Sequence, residues 1–198
     1  MYTWKITGDY NQKKDISLSI LEGRGVKDID LFLKTPTLNE SFESLSSDFK
    51  KSLSKARDLI FSEMEKNTPI LIFGDYDSDG INATAILYNF FKYEKKYDKV
   101  SYFIPNRFEH NYGLSKLAID EALDNYKSDE KVLFITVDVG VTAFEEISYI
   151  KKLGHSVILT DHHQKPEKVP TPDLLVWNDG VCGAAIAWLL SKALGSKS

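Results

Sequence analysis

From Pro69 onward the chain alternates short apolar runs with longer stretches in which apolar residues return every three or four positions. The runs are 70-ILIFG-74, 100-VSYFI-104, 131-KVLFITV-137, 156-SVILT-160 and 174-LLVWN-178. Their brevity and their content of Ile, Val and Phe predict strands buried on both faces. Between them, 81-INATAILYNFFKY-93, 114-LSKLAIDEALDNY-126, 143-AFEEISYIKKL-153 and 183-GAAIAWLLSKAL-194 have the spacing of amphipathic helices. Strand and helix therefore alternate, which predicts an α/β fold: a mostly parallel β-sheet with helices on both faces and right-handed crossovers. The proline-rich segment 164-QKPEKVPTPD-173 reads as a surface loop.

Residues 1–67 have a different texture. They are polar and serine-rich, and only 41-SFESLSSDFKKSLSKARDLIFSEMEK-66 looks regular. Phe49, Leu53, Ala56, Leu59, Ile60 and Met64 fall at helical spacing there, with Ser46 or Ser47 as the cap. The expectation is an N-terminal arm ending in one helix, belonging to the same domain as residues 68–198.

Composition narrows the functional classes. The 198 residues are 42% hydrophobic and 27% charged, which suits one α/β domain with an appendage or one domain of a longer chain. With 25 Lys and Arg against 29 Asp and Glu, the net charge is -4. A polyanion would have to be held by a local patch or by metal ions. Cys182 is the single cysteine, which excludes an internal disulfide and a cysteine-based zinc site. No signal-peptide run and no apolar stretch of about 18 residues occurs, so a cytoplasmic protein without membrane contact is expected.

In an open parallel sheet the ligand lies beyond the carboxyl ends of the strands. Three runs end in acid: Ile70–Gly74 is followed by 75-DYDSDG-80, the run to Val137 by Asp138 and Gly140, and the run to Thr160 by 161-DHH-163. If those strands are neighbours, Asp75, Asp77, Asp79, Asp138, Asp161, His162 and His163 converge. Two carboxylates about 4 Å apart repel by about 4 kcal/mol at an effective dielectric of about 20, so such a cluster calls for a cation. Carboxylates with imidazoles and no thiolate suit Mn²⁺ or Mg²⁺, and two such ions bridged by a carboxylate are a common device for hydrolysing phosphate esters. A calcium loop fits poorly, since its twelfth position would be Ile86 and a strand precedes it. The plainer alternatives are that Asp77 or Asp79 caps the helix beginning near Ile81 and that the two histidines are merely hydrogen-bonded.

Taken together, 74-GDYDSDGINATA-85, 136-TVDVG-140 and 160-TDHH-163 resemble motifs one to three of the DHH phosphoesterases, most closely the RecJ-type single-strand-specific exonucleases. Segments 21-LEGRGVKDIDLFLKTPTL-38 and 104-IPNRFEHNYGLS-115 resemble the N-terminal arm and a Pro-x-Arg, Gly-Tyr-Gly-Leu loop of that branch, and 181-VCGAAIAWLL-190 its fourth motif. The resemblance implies metal ligation by Asp77, Asp79, Asp138 and His162, with two Mn²⁺ or Mg²⁺ ions. It implies that Asp161 orients the His162 ring, that His163 faces the phosphate and leaving oxygen, and that Asp75 is an outer group or a ligand. Gly80 would admit the tight passage into the helix and let its N–H groups meet a phosphate. Arg107 and His110, with aromatics such as Tyr76, Phe108 and Tyr112, would bind single-stranded nucleic acid, whereas Tyr102 is expected in the core.

Three departures stand out, one being that only Asp179 and Gly180 separate Asn178 from 181-VCGAAIAWLL-190, where relatives usually have a longer loop. Phe73 occupies a place where many relatives carry a metal-binding histidine. The sequence ends at Ser198, before a further family aspartate and the C-terminal DHH-associated domain. The implied function is metal-dependent hydrolysis of single-stranded DNA in repair or recombination. The alternatives are a catalytically weak scaffold in a replication or repair assembly and a phosphodiesterase of short oligonucleotides or cyclic dinucleotides. A lone chain of this charge is expected to hold metal yet degrade long strands poorly, unless a partner or a second copy supplies another wall.

Overall fold

A computed structural model of the chain describes residues 15–35, 37–110, 113–126 and 130–197. The chain divides into two compact units, Met1–Leu45 and Ser46–Ser198. Among the described residues of the first unit, three short helices form where single capping side chains satisfy the initial N–H groups. Helix α1 (Ile16–Gly23) is capped by Asp15, α2 (Ile29–Leu33) by Asp28, and α3 (Leu38–Ser44) by a reciprocal Thr37–Glu40 capping box. The sequence pattern had marked only the region beyond residue 40 as regular, because helices this short offer too few turns for a period to emerge.

The second unit opens with α4 (Ser47–Glu65), capped by Ser46 as one of the two expected serines. Its buried face is Phe49, Leu53, Ala56 and Ile60, joined by Glu63, whose carboxylate accepts from Lys66 Nζ at 2.9 Å and Thr68 Oγ1 at 2.8 Å. The alternating pattern then continues as β1 (Ile70–Gly74), α5 (Ser78–Asn89), β2 (Val100–Phe103), α6 (Arg107–His110), α7 (Lys116–Tyr126), β3 (Leu133–Val137), α8 (Phe144–Lys152), β4 (Ser156–Asp161), β5 (Leu174–Trp177) and α9 (Gly183–Ala193).

Among the described residues five strands form one parallel sheet, in the order β2-β1-β3-β4-β5. The three central strands are almost completely buried, which explains their unbroken apolar runs. Successive side chains face opposite ways. Leu71, Phe73, Phe134, Val157 and Leu159 pack with Ala118, Ile119 and Ile147 from α7 and α8, while α4, α5 and α9 cover the other face. Among the described residues no helix is long and apolar enough to cross a membrane.

Candidate metal centre

The chain leaves β1 for β2 on one side and returns to β3 on the other, so the winding reverses between β1 and β3. Ligands of open α/β sheets lie at such a switch point. Because β1, β3 and β4 are adjacent, their three acidic ends meet there.

Asp138 is central. It leaves β3 in the left-handed region, with φ of 63°, and its N–H donates to the Thr160 carbonyl at 3.1 Å, so the β3–β4 ladder sets where the side chain emerges. It is buried, and among the described residues neither carboxylate oxygen receives a hydrogen bond. Burial, and then the charges of Asp79 and Asp77, push its pKa from 3.8 up to about 7. Oxygens of Asp75, Asp77 and Asp138 all lie within 4.8 Å of one another, and the same span unites Asp138 with ring nitrogens of His162 and His163. His162 Nε2 is 3.1 Å from Asp138 Oδ1, without the alignment of a hydrogen bond, and 3.5 Å from Asp79 Oδ2.

The surrounding carboxylates are held differently. Asp75 is buried and accepts the Tyr76 N–H at 2.7 Å; burial raises its pKa against that bond, and the charge of Asp77 adds to the rise. Asp77 caps α5, accepting from the N–H groups of Asp79 and Gly80 at 2.9 and 3.0 Å. Asp79 reaches across to α9, its two oxygens accepting from Gly183 and Ala184 N–H at 2.8 and 2.7 Å. Asp161 is buried; Oδ2 accepts from Val141 N–H at 2.8 Å, and Oδ1 from the backbone N–H groups of His162 and His163. That same oxygen accepts from His163 Nδ1 at 2.7 Å. Burial opposes charging of His163, but this bond, with the fields of Asp161, Asp138 and Asp75, holds the imidazole above its ordinary pKa.

The donor set fits a hard divalent cation. Two buried carboxylate oxygens without proton donors, flanked by more carboxylates and an imidazole, are costly alone and satisfied by Mn²⁺ or Mg²⁺. A cleft of about 390 Å³, lined among others by Asp138, Val141, Asp161 and His163, opens beside them.

Residues 69–196 match the DHH family, N-terminal domain. The chain belongs to the DHH family. Its relatives include the single-stranded-DNA-specific exonuclease RecJ of Haemophilus influenzae, 34% identical over 154 residues, covering 73% of this chain and 26% of that protein. RecJ of Thermus thermophilus is 36% identical over 151 residues, covering 73% of this chain and 22% of that protein. A crystal structure of exonuclease RecJ bound to manganese superposes with a TM-score of 0.62 at 34% identity, covering 72% of this chain and 37% of that one. The chain thus spans about a quarter of the length of these curated relatives.

Within this DHH domain, the expected residues do not all stand where the sequence suggested. Asp77, Asp138 and His162 join the cluster, and Asp75, ranked below the other motif-one aspartates, joins it as closely as Asp77 does. Asp161 braces His163 rather than His162, because the turn after β4 brings the second imidazole back over its carboxylate. Asp79 stands beside His162 but is engaged by the start of α9, a link 104 residues long that no local pattern announces. Gly80 is buried with its N–H given to Asp77, and a Cβ there would lie 2.6 Å from the Asp75 carbonyl oxygen. Close packing requires the glycine at that point, as the tight passage into the helix implied.

His110, expected at the substrate, is only 3% exposed. Its Nδ1 accepts from Asn106 N–H at 2.9 Å and its Nε2 faces Glu121 Oε2 at 2.8 Å, so it braces the loop instead. Arg107 lies over the Tyr76 ring, 5.7 Å from its centroid. Phe73 is fully buried between strand and helices. Tyr102, expected in the core, is 55% exposed on edge strand β2, edge-on to Tyr88 at 5.1 Å. Tyr112 lies outside the described residues. Sequence reasoning passed over Gly183, where a Cβ would fall 2.5 Å from Asp138 Oδ1, and Trp177, whose indole N–H donates to the His163 carbonyl at 2.8 Å. A glycine opening a helix directly after a cap position was the available signal for the first.

Proposed function

We propose that this domain is the metal-holding catalytic part of a phosphodiesterase that removes nucleotides from single-stranded DNA, in repair or recombination. The observation that carries the reading is Asp138: a buried carboxylate with no hydrogen-bond donor, shared by the Asp75–Asp77 group and by the His162–His163 pair. The RecJ relatives, named as single-stranded-DNA-specific exonucleases, and the manganese in a RecJ crystal structure support the substrate and the metal. Asp75, Asp77, Asp138 and His162 are the residues that would hold the divalent ions. Such ions supply Lewis acidity and lower the pKa of a bound water.

The chain's own groups do the rest. Asp138, fixed by the ladder to Thr160, sets the centre of charge. Asp161 accepts from Nδ1 of His163, which leaves Nε2 as the atom that can carry a proton. With its pKa held above the ordinary value, His163 is suited to give that proton to a leaving oxygen as the ester bond breaks. Trp177 fixes the backbone carbonyl of the same residue and so restricts the swing of its ring. With a net charge of -4, the domain is expected to act slowly on long strands.

The test is hydrolysis of bis(p-nitrophenyl) phosphate and of end-labelled single-stranded DNA, with Mn²⁺ or with EDTA, by the wild type and Asp138→Asn. Hydrolysis that requires Mn²⁺ and disappears in the variant is expected. Activity that survives in EDTA or in Asp138→Asn rejects the reading.

A further inference from the structure

The centre is acidic, yet a strand of phosphates must lie across it if the phosphodiesterase reading is right. Two cations stand at the carboxyl edge of the sheet in similar settings. Toward β2, Arg107 is held over Tyr76, the residue after Asp75. Toward β5, Lys165, two residues beyond His163, holds its ammonium 4.0 Å from the centroid of the Trp177 ring. Trp177 in turn pairs with Asp161 in the β4–β5 register and donates to the His163 carbonyl at 2.8 Å. Among the described residues neither Arg107 nor Lys165 makes an ion pair, although the site offers several carboxylates.

The arrangement separates Lys165 from ordinary surface lysines. A long flexible ammonium two residues beyond His163, next to an acidic site, gains by leaning onto a carboxylate where one is in reach. Here the ammonium rests on an aromatic face, and among the described residues no carboxylate neutralises it. The ring itself is immobilised by its hydrogen bond to the backbone of His163. Single-strand channels combine cations that follow the backbone with aromatic side chains close by. The two cations flank the centre along the strand order, since Tyr76 follows β1 and Trp177 ends β5, three strand intervals or about 14 Å apart at about 4.8 Å each, with β3 and its Asp138 between them.

Resting on the phosphodiesterase reading, we propose that Lys165, seated on Trp177, binds a backbone phosphate of the strand on the β5 side of the metal centre. The strand then crosses the carboxyl edge from the Arg107 side to the Lys165 side, with the scissile phosphate over Asp138.

The test is the salt dependence of binding of a fluorescent, phosphorothioate-linked oligothymidylate to the full chain in Mn²⁺, read by anisotropy. Each single-strand phosphate contact contributes about 0.7 to the slope of log K against log salt. Lys165→Gln is expected to lower the slope by about 0.7 relative to wild type, and Lys165→Arg to restore it. Arg107→Gln serves as an independent comparison, and its effect is expected to add to that of Lys165→Gln. An unchanged slope in Lys165→Gln overturns the inference and leaves the function standing. So does a wild type that cleaves bis(p-nitrophenyl) phosphate but binds no strand. A wild type unable to cleave the small diester in Mn²⁺ removes the phosphodiesterase reading, and this inference with it.

Discussion

Asp138→Asn should make the metal-free protein more stable while removing its response to Mn²⁺. In the folded chain burial and the neighbouring aspartates raise the Asp138 pKa from 3.8 to about 7. In the unfolded chain the group ionises at its ordinary value. At neutral pH, folding must therefore protonate the carboxyl or bury its charge, at about 1.4 kcal/mol per pK unit, or at most about 4 kcal/mol. Water entering the adjacent cleft screens part of this, so about 2 kcal/mol is a working figure. Asparagine has nearly the shape of the protonated acid and no charge to remove. It also tolerates the left-handed φ of 63° at this position, so the backbone has no reason to move.

For a unit of this size, about 2 kcal/mol corresponds to a rise in Tm of about 4–8 °C for the variant in EDTA. The sign with pH follows from the direction of the shift. A folded pKa above the unfolded one leaves stability intact below about pH 3.8 and removes it as pH rises to about 7. The gap between variant and wild type should open over that window and stay constant above it. Mn²⁺ at about 100 times its Kd adds about 2.7 kcal/mol, or about 5–11 °C, to the wild type and little to the variant, so the gap should narrow, close or reverse. Differential scanning fluorimetry across pH, in EDTA and in Mn²⁺, measures all of this. A variant that melts below wild type in EDTA, or that gains the same increment from Mn²⁺, refutes the account of Asp138 as an uncompensated carboxylate awaiting a cation.

His163→Ala should lower kcat for phosphodiester hydrolysis by about 10²–10⁴ while changing the Mn²⁺ affinity, measured calorimetrically, far less; equal losses would make His163 a ligand rather than a proton donor. Gly183→Ala should destabilise the chain by about 1–3 kcal/mol and abolish the Mn²⁺-induced rise in Tm, because the added carbon would fall 2.5 Å from Asp138 Oδ1. Unchanged melting with and without metal would show that α9 yields there freely. His155 accepts from Val132 N–H at 3.1 Å, and burial, aided by Lys131, lowers its pKa. A folded pKa below the unfolded one makes the His155 contribution to stability fall as pH drops below about 6.5, so His155→Asn, which keeps an acceptor, should gain in Tm relative to wild type as pH is lowered from 7 to 5. Parallel profiles for variant and wild type would refute it.

The parts of this molecule that could be read in advance are those whose cause is local. A strand buried on both faces must be apolar throughout, so 70-ILIFG-74 and the runs like it announced a parallel sheet, and acids placed just after them announced a cation site once the strands proved adjacent. What escaped has its cause elsewhere in the chain. Helices α1 and α2 depend on one capping aspartate each, a signal too common in polar sequence to stand out. His110 and Glu121 are eleven residues apart, on α6 and α7, and only the packing of those helices buries one imidazole against the other's carboxylate. The two histidines of 161-DHH-163 are chemically alike, so which of them leans on Asp161 is decided by the turn after β4 and not by residue type. Asp79 shows the consequence for function. Its carboxylate is at once a neighbour of His162 and the cap that receives the first two N–H groups of α9. Since Gly183 on that helix also abuts Asp138, a change in the metal centre and a change in the seating of α9 are the same event seen from two ends.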